Sequence, residues 1–106
     1  MNYVADKLSE LMVEELAAAN RTNPPFRSLH EGYAVLLEEV EETGDALTDM
    51  ELNLKQMWDS VKRDKNYEAR VAAFAVRRHA FETAAEAIQV AAMATKLIDH
   101  IDEVMK

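Results

Sequence analysis

The 106-residue chain has no cysteine, only two glycines and two prolines, and 7% aromatic residues. Without cysteine there are no disulfides, no thiolate nucleophile and no cysteine zinc site, a usage that fits a reducing cytosol. So little Gly and Pro, beside much Ala, Glu, Leu and Met, predicts an all-α protein. Positive charge is scarce too: 12 Lys and Arg stand against 20 Asp and Glu, a formal net charge of -8 with a pI near 4.8. That balance argues against nonspecific binding to nucleic acid or to an anionic membrane, because both need a positive field. No apolar run approaches the roughly 18 uninterrupted residues of a membrane span. The segment Met1 to Asp6 has neither the basic nor the apolar region of a secretory leader, so a cytoplasmic location is expected. A glycine-rich phosphate loop, Gly-x-Ser-x-Gly and a Cys/His dyad are all missing.

What is present reads as one helical domain, 1–106. A 49% hydrophobic composition argues against disorder, and this length supports a modest core. The first helix is expected from about Asn2 to Ala19, with Val4, Leu8, Leu11, Met12 and Leu16 forming one apolar stripe. Asn20 to Phe26 is a loop around Asn23-Pro24-Pro25, which cannot continue a helix. Ser28 is an N-cap and Glu31 completes a capping box, so a second helix starts near Leu29. It is expected to reach Leu47, with a weak point at Gly44. Tyr33, Leu36, Leu37, Val40 and Leu47 gather on one side of it; Glu31, Glu38, Glu42, Asp45 and Asp49 gather opposite. A third helix, about Asp49 to Arg63, carries Met50, Leu54, Met57, Trp58 and Val61. Asp64-Lys65-Asn66 is a polar break, and Tyr67 to Lys106 forms one long helix or two. Pairing these stripes predicts a four-helix-bundle-like arrangement. The stretch Ala84 to Ile98 is apolar nearly all round and wants neighbours on every side, so a homodimer or homotetramer is expected.

Two places in this pattern carry chemistry. Glu38, Glu39 and Glu42 form Glu-Glu-x-x-Glu within about one helical turn, a spacing at which carboxylates can share a hard divalent cation. Glu86 and Gln89 interrupt the apolar C-terminal stretch, and a buried carboxylate without a partner is expensive. The alternatives are a solvated acidic face and a polar pair at an edge or subunit contact. Glu82 and Asp99 lie nearby on the same helix. Arg27, Arg77, Arg78 and Lys96 read as surface charges of a kind that can meet phosphate. His30, His79 and His100 read as surface or interface residues. None of them follows a glutamate by three positions, which excludes the Glu-x-x-His pairs of ferritin-like di-iron bundles. The six methionines and Trp58 read as core filling.

With these motifs, and with the wider strings His30-Glu31-Gly32-Tyr33-Ala34-Val35-Leu36-Leu37-Glu38-Glu39 and Glu86-Ala87-Ile88-Gln89-Val90-Ala91-Ala92-Met93-Ala94, the chain resembles the MazG-like all-α nucleoside triphosphate pyrophosphatases. The likeness is to their small phage and bacterial members and spans about Ser28 to Asp99. The resemblance implies a helical oligomer that hydrolyses a nucleoside triphosphate to monophosphate and pyrophosphate, with Mg²⁺ or Mn²⁺ as cofactor. It also implies Glu38, Glu39, Glu42 and Glu86 as catalytic metal ligands. Gln89 stands where that superfamily places the aspartate of Glu-x-x-Asp. An amide oxygen coordinates Mg²⁺ without adding charge, so weaker metal binding is expected, and a catalytically silent protein that binds nucleotide or a protein partner is the alternative. A plain helical oligomer whose acidic face confers solubility is a third reading.

Overall fold

Among the described residues of the computed structural model only helices, turns and loops occur. It describes residues 2–106, and among them α1 (Tyr3–Thr22), α2 (Leu29–Lys62) and α3 (Asn66–Val104) follow one another with no strand. The all-α class is as expected, but the helix count is lower. The break expected between Leu47 and Asp49 does not occur, and α2 runs through the weak point at Gly44. Gly44 has no positive φ, a lone helical glycine costs only about 1 kcal/mol against alanine, and no proline removes a backbone donor there. The segment after the polar break is likewise one helix, α3.

The helix ends follow local chemistry. Asn2 caps α1 by accepting from the Ala5 N–H at 2.8 Å. α1 outlasts its expected end by one turn and stops where Pro24 disfavours helical backbone at Asn23; the Asn23 N–H donates to the Ala19 carbonyl at 3.0 Å. Ser28 Oγ accepts from the Glu31 N–H at 3.1 Å and opens α2. α2 closes in a Schellman turn: Lys65 N–H donates to Ser60 O and Asp64 N–H to Val61 O, with Asp64 in the left-handed region at φ 52°.

The long helices each contribute to two compact units, Met1–Val40 with Glu86–Lys106, and Glu41–Ala85. The first holds α1, the start of α2 and the end of α3, with Phe26, Ala92 and Lys96 buried. The second is a helical hairpin whose buried residues are small: Ala46, Ser60 and Ala72. Its large side chains, Leu47, Leu54, Trp58, Val61, Val71, Phe74 and Phe81, are exposed. Trp58, expected as core filling, is 60% exposed. Of the apolar side expected for α2, Tyr33, Leu37, Val40 and Leu47 face outward and Leu36 is half-buried. The side turned inward in the first unit instead carries Glu31 and Val35, both half-buried, and the buried Gly32.

The two glycines have opposite surroundings. No atom lies within 4 Å of a Cβ built at Gly44. Gly44→Ala should therefore raise stability by about 0.5–1 kcal/mol through helix propensity. At Gly32 an added Cβ collides with Leu97 Cδ1 and comes within 3.2 Å of its Cγ and Cδ2. Overpacking costs about 1–3 kcal/mol and should outweigh the gain in propensity. Urea midpoints should move up for Gly44→Ala and down for Gly32→Ala. An upward shift for both would refute close packing at Gly32.

Candidate metal and ligand site

The site is built where the two unusual stretches of sequence meet. α2 carries Glu31, Val35 and Glu39 at four-residue spacing, and Glu42 lies one turn beyond Glu39. α3 carries Glu86, Gln89, Met93 and Lys96 at spacings of three and four. Helical geometry puts each set along one side of its helix. Glu39 and Glu86 both belong to the first unit. One carboxylate oxygen of Glu39 lies within 4.8 Å of one of Glu86, and Glu42 follows Glu39 by three residues on α2. Glu86 Oε2 is shut off from solvent and accepts no hydrogen bond from any described residue. A buried carboxylate oxygen without a donor is costly, and a second and third carboxylate beside it add repulsion. A hard divalent cation relieves both, since it takes oxygen ligands at 2.0–2.6 Å; the donor set fits such an ion.

Glu38, the remaining member of the Glu-Glu-x-x-Glu motif, is exposed on α2 and lies outside the group of converging oxygens. Gln89 is half-buried and lines a cavity of about 550 Å³ with Glu15, Glu31, Glu39, Met93 and Lys96. Glu82 is taken up locally: His79 Nδ1 lies 2.9 Å and Arg78 Nε 4.0 Å from its carboxylate oxygens. Asp99 is exposed beside a second cavity of about 450 Å³ that also touches His100, Glu103 and Lys96.

The cations divide sharply. Arg27 donates from its backbone N–H to Glu31 Oε1 at 3.1 Å, and from Nε and Nη2 to Oε2 at 3.1 and 2.9 Å. The expected capping box is thus half formed: Ser28 caps Glu31, but the Glu31 carboxylate reaches back to Arg27. Arg77 lies against Phe74, 4.7 Å from the ring centroid, and Arg78 pairs with Glu82. Lys96 contradicts its reading as a surface charge. It is 7% exposed, with Nζ 4.8 Å from the centroid of the equally buried Phe26, and it lines both cavities. The reason is position: Lys96 lies deep in the apolar stretch of α3, where its methylenes pack while its ammonium reaches a cavity.

Arg27 also acidifies Glu31. Hydrogen bonds from its side chain and its backbone N–H hold the Glu31 carboxyl below the usual carboxylate range, against the opposing pull of desolvation, and the positive charges of Arg27 and Lys96 add to the effect. A carboxyl more acidic when folded stabilises the fold above its unfolded pKa, and that contribution vanishes as pH falls through the folded value. Glu31→Gln should melt below wild type near pH 7, and the gap should close below about pH 4. A gap constant with pH would show that ionisation of Glu31 contributes nothing.

Compared with protein-family models, curated proteins and solved structures, the chain matches none. No described helix is long and apolar enough to cross a membrane.

Proposed function

We propose that this protein is a cytoplasmic, Mg²⁺- or Mn²⁺-dependent nucleoside triphosphate pyrophosphohydrolase of the MazG-like kind, working as a homodimer or homotetramer. The observation that carries the reading is the approach of Glu39 and Glu86 to within 4.8 Å of each other, with Glu42 one turn along α2 from Glu39, beside a cavity that Glu39 shares with Gln89 and Lys96. Glu39, Glu42 and Glu86 hold the cation, the Gln89 amide oxygen adds a neutral ligand or orients one, and Glu38 offers a further carboxylate at the exposed side. A divalent cation held there would neutralise phosphate charge and activate water. A carboxylate oriented toward that water accepts its proton as the oxygen attacks the α-phosphorus. The bond to the bridging oxygen breaks, leaving monophosphate and pyrophosphate.

One observation favours the alternative of a catalytically silent nucleotide- or protein-binding relative: the cavity receives the uncharged Gln89 from α3. Pyrophosphate release from a panel of ribo- and deoxyribonucleoside triphosphates, with Mg²⁺ or Mn²⁺, decides between them. Turnover that disappears in Glu39→Gln supports the hydrolase. No turnover in wild type or in Gln89→Asp moves the reading to the silent protein. The oligomer is supported by the many large apolar side chains that the helical hairpin leaves exposed, since covering them with a partner removes apolar surface from water. Light scattering on the purified chain should give two or four times the 12.0 kDa monomer mass.

A further inference from the structure

We propose that Lys96, with Gln89 two turns before it on the same side of α3, forms a phosphate-binding subsite in the 550 Å³ cavity, and that this subsite takes the diphosphate end of the substrate. The assignment of a diphosphate rests on the hydrolase reading; the subsite itself rests on the following geometry. Lys96 is 7% exposed. Among the described residues it forms no ion pair within 4.0 Å; its recorded partner is the Phe26 ring at 4.8 Å. Burying an ammonium is costly unless an anion meets it, and the face of an aromatic ring returns only part of that cost. Glu31, on which the Lys96 charge acts, is already gripped by three donors of Arg27. Lys96 therefore turns positive charge toward an open volume with no carboxylate in contact with it. Met93 and Gln89 lie one and two turns before it and line the same volume. The Gln89 amide adds an N–H donor suited to a phosphate oxygen. Glu15 and Glu39 also border the cavity, so a free anion enters against their charge. A divalent cation held by Glu39, Glu42 and Glu86 offsets that charge, which makes the subsite suited to a metal-bound phosphate chain.

The probe is inorganic pyrophosphate, titrated in MgCl₂ into the isotopically labelled full chain and followed by backbone amide shifts. The expected map centres on Phe26, Gln89, Met93 and Lys96. Lys96→Met, which keeps the aliphatic stem, should melt normally and bind at least about tenfold more weakly, as loss of a hydrogen bond to a charged group implies. Lys96→Arg should retain most of the affinity. Shifts confined to exposed cations such as Arg77 and Arg78 overturn the proposal, as does wild-type affinity in Lys96→Met. If Lys96→Met does not fold, the wild-type shift map decides alone. Pyrophosphate binding through Lys96 without nucleotide turnover upholds the subsite and sinks the hydrolase. Turnover with kcat and KM unchanged in Lys96→Met does the reverse.

Discussion

Replacing Glu86 by glutamine should stabilise the protein without metal and destabilise it with metal. In chelator, the wild-type chain holds oxygens of Glu39 and Glu86 within 4.8 Å of each other, one turn of α2 from Glu42, with Glu86 Oε2 buried and lacking a donor. Glutamine removes one of the three charges, and its amide donates to a neighbouring carboxylate. A gain of about 0.5–1 kcal/mol is expected, which raises the melting temperature by roughly 2–8 °C for a domain of this size. Metal reverses the order. A ligand at a hundred times its Kd adds about 2.7 kcal/mol to the state that binds it, worth roughly 10 °C or more. Glu86→Gln gives up most of that, because disturbing even the outer hydrogen bonds of a metal site costs about 10–100-fold in affinity and losing a ligand costs more. Activity with Mg²⁺ should fall at least about a hundredfold. Melting curves in chelator and in MgCl₂ read the crossing directly. Parallel curves for wild type and variant would mean that the carboxylates form only a solvated acidic face.

The helical class and the positions of the helix starts are legible in the sequence because they depend on local chemistry. Ser28, Asn2 and the diproline act over three or four residues, and each does what its type dictates. The number of helices is less legible, because Gly44 weakens a helix by too little to end it while neighbouring turns continue. The burial pattern of α2 is harder still. Periodicity marks Tyr33, Leu37 and Val40 as one apolar side, but it does not say whether the chain itself or another molecule covers that side; within this chain it stays exposed. The carboxylates Glu39, Glu42 and Glu86 are visible as motifs, yet the approach of Glu86 to Glu39 depends on helix packing that no local spacing encodes. Lys96, read as a surface charge but buried, is the instructive misplacement. The argument that singles out Glu86 and Gln89, a polar residue inside a stretch apolar on all sides, applies to Lys96 with equal force. It also falls on their side of α3, seven residues beyond Gln89. Phe26 gives a fainter signal, as a lone aromatic after Pro24-Pro25 and just ahead of the Ser28 cap.

Gln89→Asp should tighten metal binding and raise turnover, and it is the change that separates a weakened enzyme from a silent relative. Gln89 and Glu39 line the same cavity, so a carboxylate at position 89 adds negative charge beside the proposed cation. At about 5 Å and an effective dielectric near 20, one unit of charge is worth on the order of 3 kcal/mol. Gln89 is only half-buried, and screening by solvent removes much of this. Repulsion from Glu39 removes more when no metal is present. A net gain of about tenfold to a hundredfold in Mg²⁺ affinity remains as the expectation. The same variant should be less stable than wild type in chelator, the opposite of Glu86→Gln, because it adds a charge where that one removes it. If hydrolysis is detectable in wild type and rises with Gln89→Asp at subsaturating Mg²⁺, metal occupancy limits the natural protein. If hydrolysis appears only in Gln89→Asp, the amide alone silences a site whose other groups are in place. If metal affinity rises and hydrolysis is absent from both, the carboxylates serve binding, and the phosphate-chain chemistry proposed for them is wrong. Calorimetric titration with Mn²⁺ and pyrophosphate release, measured on the same preparations, distinguish the three.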